Sequence, residues 1–325
     1  MSSRTLLRLI LLLQVLAALA IGAAAMRWRD VSGWQAAALG LGSVVLVRLL
    51  INMNNFLMAA RSASPTPPEY RITPAQALRM AWQEFGTSML TTSWHMPRAR
   101  ARTRIHPDSA HPPVLLLHGY GCNSGYWASL APLLDAARIS HATLDLEPLT
   151  GDIDRYAQCV EQAAQQLCVQ AGARQLVVVA HSMGGLAARA WMRVHGADRV
   201  ARLVTLGTPH HGTCLAAFGI GINAGQMRRI GVAGPECAWL SALAGGEDAA
   251  VRARITSLYS HHDNIIAPQT SSVLPGARNL AFGGVGHVAL GHNRRVLAAV
   301  MSELDAQRIA PPAAVAMPHH EDAHR

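Results

Sequence analysis

Apolar positions along the chain follow two different rhythms. Residues 9–26 form an uncharged run dominated by Leu, Ile, Val and Ala between Arg8 and Arg27, about the length that crosses a hydrocarbon core. Residues 31–47 are less apolar and continue past Arg48 into Leu49, Leu50 and Ile51, with Asn52, Asn54 and Asn55 weakening the far end; they read as a second span. Ser62 to Pro68 is a proline-rich stretch that cannot propagate a helix. Thr73-Pro74 then opens a helical pattern with Ala77, Leu78, Ala81 and Phe85 on one face and Trp82 beside it. From about residue 113 the rhythm changes to short β-branched runs alternating with helical stretches. Helices are predicted over 124–137, 153–171 and 288–300, and strands over 114–117, 142–146, 176–180, 202–206, 254–260 and 279–282. That alternation demands a mainly parallel sheet with helices on both faces. Residues 208–252 interrupt it with a Gly-rich, apolar excursion too long for an ordinary connection.

Candidate chemistry sits at the ends of these strands. The run Leu176-Val177-Val178-Val179 leads into Ala180-His181-Ser182-Met183-Gly184 and then a helical pattern. This is the strand–turn–helix context that lifts a serine hydroxyl clear of the backbone, with small residues two before and two after it. Upstream, Val114-Leu115-Leu116-Leu117 runs into His118-Gly119-Tyr120-Gly121. The amides of Tyr120 and Met183 are therefore candidates for binding a developing oxyanion. After Ser182 come Asp263, just past a strand, and His287, on the glycine-flanked loop Gly283-Gly284-Val285-Gly286. The order Ser, Asp, His makes Asp263 the acid that orients an imidazole and His287 the base. His118, Asp145 and Glu147 precede the serine and fit the order less well. His261 and His262 read as solvated loop histidines rather than a metal site, and His292 as a helical position pointing elsewhere.

These stretches, with Thr205-Leu206-Gly207-Thr208-Pro209-His210-His211-Gly212-Thr213 and Tyr259-Ser260-His261-His262-Asp263, resemble the α/β-hydrolase superfamily and, more narrowly, bacterial triacylglycerol lipases and esterases. The likeness runs from about 113 to 303. Gln226-Met227 with Ala238-Trp239-Leu240 resembles the small cap of those enzymes. Ala180 replaces the commoner glycine, as in a lipase subgroup, and the family's calcium ligands have no counterpart around His287. The resemblance implies an α/β-hydrolase fold and a serine hydrolase cleaving carboxylic esters, of lipids or medium-chain acyl groups, with no cofactor and no metal. Acyl transfer on the same fold and a catalytically silent membrane-tethered binding protein are the alternatives. The expected organisation is a membrane anchor over 1–61, a linker with an amphipathic helix over 62–112, the catalytic domain over 113–305 with a cap at about 208–252, and a disordered tail over 306–325.

Composition agrees with attachment to a membrane. Half of the 325 residues are hydrophobic, only 14% are charged, and the net charge of +9 comes wholly from arginine. Arg98, Arg100, Arg102 and Arg104 alternate with Ala and Thr, a tract suited to anionic headgroups or to a solvated edge strand. No nucleic-acid-binding module is recognisable. The first run carries the Arg4 and Arg8 n-region and Ala23-Ala24-Ala25 of a signal peptide, but its length and the second run behind it favour a retained anchor, in a bacterial inner membrane. Two spans would return the catalytic domain to the cytoplasm; one would leave it outside. Five cysteines read as buried free thiols, with Cys214 and Cys237 able to pair in an oxidising compartment.

Overall fold

The computed structural model describes residues 2–308; the histidine-containing tail from residue 309 onward lies outside them. Two long helices, α1 (Ser3–Arg29) and α2 (Gly33–Ala60), pack against each other as a hairpin. Both are long and apolar enough to cross a membrane. The second extends well beyond the run expected from sequence. Arg48 within it is satisfied by Gln14 of α1 and by Thr92 and Ser93, so the interruption does not break the helix.

Helix α3 (Pro74–Leu90) starts as expected. Thr73 Oγ1 accepts from the Gln76 amide, Gln76 Oε1 accepts from the Thr73 amide, and Pro74 occupies the first turn. Its buried face differs from the pattern reading: Met80, Glu84 and Phe85 are buried, whereas Leu78 and Trp82 are exposed. The helix continues through a π-helical turn (Thr91–His95) into α4 (Met96–Arg98).

Seven strands follow: β1 (Thr103–Arg104), β2 (Val114–Leu117), β3 (His141–Leu144), β4 (Leu176–His181), β5 (Val200–Leu206), β6 (Ile255–Ser260) and β7 (Arg278–Phe282). They form one sheet in the order β1-β3-β2-β4-β5-β6-β7. Every pairing is parallel except β1 with β3, so the arginine tract does feed a short antiparallel edge. Successive side chains on a strand point to opposite faces. Accordingly, Leu115, Val178 and Ala180 pack with α6 (Ile153–Ala171) and α7 (Met183–His195). Val114, Leu116, Val177 and Val179 pack on the other face with Trp127, Leu134, Val296 and Val300. Burial on both faces is why these strands read as continuous apolar runs rather than alternating ones.

Two predicted helices are split. The segment expected to be helical over 124–137 is a 3-10 turn (Ser124–Ala128) followed by α5 (Ala131–Ala136); Pro132 is accommodated because it falls in a first turn. The segment over 288–300 is a 3-10 turn (Val288–Gly291) followed by α11 (Arg294–Asp305), with Asn293 Oδ1 accepting from the Arg295 amide as the new cap. His292 therefore stands in the joint, not on a helix. Between β5 and β6 the chain forms a 3-10 turn (Cys214–Phe218) and three short helices, α8 (Ile222–Gln226), α9 (Ala238–Gly245) and α10 (Ala249–Ala253). All five cysteines are free; Cys159 is exposed and only Cys168 is fully buried, and Cys237 Sγ donates to Gln226 O.

Candidate active site

Ser182 occupies the tight turn from β4 into α7. Its φ of 53° and ψ of −126° are a strained conformation for a residue with a side chain, held because its amide donates to Leu206 O (2.8 Å) and its carbonyl accepts from Thr208 Oγ1 (2.8 Å). The loop after β2 passes directly over it: a methyl at Gly119 would lie 2.7 Å from Ser182 Cβ. Glycine there permits that close approach, with Tyr120 next in the loop and Met183 at the first turn of α7. Among the described residues neither amide has an acceptor, as an oxyanion-binding pair requires.

Asp263 and His287 come together beyond the ends of β6 and β7. Asp263 Oδ2 and His287 Nδ1 are 2.7 Å apart, and both side chains are buried. The second carboxylate oxygen, Oδ1, accepts from the amides of Ile265 and Ile266 at 2.8 Å each, which fixes the carboxylate plane. With Nδ1 occupied, Nε2 of His287 is the free ring atom. The His287 ring packs on that of His181, the residue before Ser182, with centroids 4.6 Å apart. Neither Ser182 Oγ nor His287 Nε2 makes a hydrogen bond among the described residues; such bonds commonly tighten only on substrate binding. Burial alone would lower the His287 pKa, but the charge and hydrogen bond of Asp263, aided by Glu84, raise it above the ordinary imidazole value.

The other histidines singled out by the sequence, His118, His261, His262 and His292, have structural partners. His118 Nε2 accepts from the Leu146 amide and burial holds its pKa below the usual value. His261 and His262 are not the solvated pair expected from sequence. His261 packs against Tyr70 and Tyr259, and His262 Nδ1 accepts from the Gly284 amide. Their strand-end loop is covered by residues 64–72, which composition marked only as a linker. His292 bridges Ser129 and Thr91, and desolvation pushes its pKa down to about 4. Asp145 accepts from the Ser124 amide and Glu147 from the Ser3 amide, so neither turns toward His287. Among the described residues no cluster of three or more His, Cys, Asp or Glu suits a metal ion.

Sequence reasoning missed several contributors. His181 Nε2 faces His287 O at 3.2 Å, and Asn264 Oδ1 accepts from the His287 amide at 2.9 Å; both lie inside the motifs but gave no separate signal. A cavity of about 490 Å³ opens over Ser182. Tyr120, Leu215, Phe218 and Met227 line it, together with Asn54, Asn55 and Met58 from the end of α2. Tyr120 also ties the cap down, its hydroxyl donating to Ile220 O and accepting from the Ile220 amide. Trp239 and Leu240 are absent from the cavity lining: the Trp239 indole donates to Asp154 at 2.9 Å and Leu240 is buried in the core. A second cavity, about 330 Å³, lies along Arg98, Arg100, Arg102 and Arg104 beside Trp94.

The family model described as the alpha/beta hydrolase fold matches residues 112–221. Curated relatives are pimeloyl-[acyl-carrier protein] methyl ester esterases. That of Vibrio atlanticus is 35% identical over 101 residues, 31% of this chain and 38% of the relative. One from Vibrio vulnificus is 36% identical over 95 residues, 29% of this chain and 36% of the relative. The chain thus spans little more than a third of the length of these relatives. Lipase B of Aspergillus fumigatus superposes with a TM-score of 0.56 at 14% identity, covering 92% of this chain and 87% of the other. A lipase of Bacillus licheniformis in its mature form gives 0.52 at 22% identity, covering 63% of this chain and 97% of the other. Parallel sheet, strained serine turn and these matches together give the chain an α/β-hydrolase fold, and residues 112–221 match the model of that family. Within it, the chain resembles bacterial lipases and esterases.

Proposed function

We propose that the protein is a membrane-anchored serine hydrolase that cleaves carboxylic esters carrying an apolar acyl chain. Ser182 attacks the ester carbonyl while His287 Nε2 takes its proton. Asp263 holds the imidazole tautomer and stabilises the imidazolium. The Tyr120 and Met183 amides bind the oxyanion. The tetrahedral intermediate collapses as His287 returns the proton to the leaving alcohol. Water, activated by the same histidine, then releases the acid from the acyl-serine.

The observation that carries this reading is the cavity over Ser182, walled by Leu215, Phe218 and Met227 of the cap and by the end of α2. An acyl chain is the ligand that benefits from such a wall, since each buried methylene contributes about 0.8 kcal/mol. Across p-nitrophenyl esters, kcat/KM is expected to rise from acetyl to medium chains by up to roughly fourfold per methylene. Phe218→Ala should flatten that rise, whereas Trp239→Ala, whose indole is engaged with Asp154, should leave its slope intact. Rates that fall steadily from acetate onward would remove the apolar-acyl assignment.

The membrane part of the reading is supported by the two long helices and by their flanks. Trp28 and Trp34 are exposed at the two sides of the hairpin turn, as interfacial anchors are. At the opposite end, Arg4 and Arg8 donate to Ala99 O and Pro97 O, which sets the first helix beside the Arg98–Arg104 tract. Arg27 and Arg29 make the turn basic too, partly offset by Asp30, but Arg4, Arg8, Arg61 and the Arg98–Arg104 tract outnumber them at the catalytic side, which favours a cytoplasmic catalytic domain at the inner membrane with the tract facing anionic headgroups. The full-length chain should sediment with membranes and withstand a high-salt wash, because burial of apolar helices does not depend on screened charge. Recovery in the soluble fraction, shortened by about 25 residues, would instead identify a cleaved leader.

A further inference from the structure

Glu84 belongs to no motif and precedes the parallel sheet by several elements, yet it lies against the loop that bears His287. It is 1% exposed, on the buried face of α3. Its Oε1 accepts from the Val288 amide and its Oε2 from the Ala289 amide, each at 2.9 Å. A methyl on Gly286 would come 2.5 Å from Oε2, so the residue before His287 must be glycine for the carboxylate to fit. We propose that Glu84 is a positioning residue for His287, gripping the backbone that carries the imidazole and placing a second buried negative charge behind it. This rests on the reading of Ser182 as nucleophile and His287 as base.

The backbone around His287 is clamped at each point. Its amide donates to Asn264 Oδ1, its carbonyl lies 3.2 Å from His181 Nε2, and the next two amides donate to Glu84. Asn264 comes from the loop that follows β6 and His181 is the last residue of β4, but Glu84 comes from α3, a separate element outside the sheet. Without it, the turn over 288–291 would keep its side-chain packing and lose the two bonds that set its distance from Ser182. Misplacement of a reacting group by about 1 Å is enough to cost roughly a hundredfold in rate.

Both carboxylate oxygens accept from N–H donors, an arrangement that suits the ionised form. The titratable groups around His287 are Asp263, Glu84 and His181; those around Glu84 are His287, Asp263 and the Tyr126 hydroxyl. Burial raises the Glu84 pKa, against its two amide bonds and the attraction of His287. Its charge in turn raises that of His287. Removing the charge therefore lowers the His287 pKa, and because the neutral imidazole is the active base, the acid limb of the rate profile moves to lower pH.

The test uses the full-length chain in a neutral detergent, with Glu84→Gln and Glu84→Asp. Two readouts are followed against pH: kcat and KM for a p-nitrophenyl ester, and the rate at which Ser182 is labelled by a fluorophosphonate. Glu84→Gln should lower kcat roughly ten- to a hundredfold with little change in KM, and shift the acid limb to lower pH. Glu84→Asp, which keeps the charge but not the reach, should lower kcat and leave the limb in place. A Glu84→Gln protein with wild-type kcat, or one whose lower activity follows only its folded fraction while the limb stays fixed, would overturn the proposal. Should Glu84→Gln fail to fold, Glu84→Asp decides: wild-type kcat, or a loss that follows only the folded fraction, overturns the assignment, and a reduced kcat per folded, fluorophosphonate-labelled protein with an unmoved limb supports it. Failure of the wild-type chain to be labelled at Ser182 would instead overturn the serine-hydrolase reading, and this inference with it.

Discussion

Replacement of Ser182 by alanine is expected to abolish turnover of p-nitrophenyl esters and labelling by a fluorophosphonate while the protein stays folded. The loss should reach about four orders of magnitude or more, since nucleophile, base and acid act as a unit. Stability should hardly change. Ser182 Oγ has no hydrogen-bond partner among the described residues, and alanine keeps the β-carbon around which the strained turn is built. His287→Ala should be as severe. Asp263→Asn should be less complete, because the imidazole would still be held by its ring contact with His181. His118→Ala and His292→Ala remove groups bonded to Leu146 and to Ser129 and Thr91, so their effects belong to packing rather than to proton transfer. Near-wild-type turnover by Ser182→Ala, measured beside an unchanged melting temperature, would remove the turn from the mechanism.

Much of this arrangement was legible because the chemistry sits where one kind of element ends. The run at 176–179 is apolar because β4 is covered on both faces. Its abrupt change to Ala180-His181-Ser182 marks the sheet's carboxyl edge without further information. Asp263 and His287 are readable for the same reason, each lying just past a strand. Glu84 was hidden by the opposite circumstance. A carboxylate in a helical pattern ordinarily marks a solvated face, and its partners Val288 and Ala289 lie more than 200 positions away. Asn54 and Asn55 read as the weakening end of an apolar run, although their side chains have a place in the lining of the cavity over Ser182. Trp239 is an apolar residue of the cap stretch, but hydrophobicity gives burial and not direction; its indole N–H needed an acceptor, and Asp154 of α6 supplied one. The joints at Pro132 and Asn293 were written in the sequence as a helix-opening proline and a capping asparagine, and apolar periodicity ran across both.

A second large effect is expected at the join between α7 and the cap. Arg189 and Glu247 form a two-pronged ion pair, Nε to Oε1 at 2.6 Å and Nη2 to Oε2 at 2.7 Å, with side chains 0% and 2% exposed. Arg189 also reaches His210 O at 3.4 Å, and Arg252 approaches Glu247 from the other side at 3.5 Å. Removing one partner leaves the other charged, buried and unpaired, and such losses run to about 3–5 kcal/mol. Glu247→Ala should therefore lower the melting temperature by roughly 10 °C, with little loss of kcat at temperatures where the variant remains folded. Glu247→Ala should be worse than the double replacement Arg189→Met with Glu247→Leu, because apolar side chains of similar size remove the desolvation cost along with the attraction. The double variant is expected to recover most of the lost stability. Equal melting temperatures for Glu247→Ala and the wild type would mean that water reaches the guanidinium and that the cap is held by Tyr120 and its apolar contacts alone. Recovery of stability in the double variant without a change in acyl-chain preference would assign the pair to anchoring the cap, leaving selectivity to Phe218 and the cavity wall.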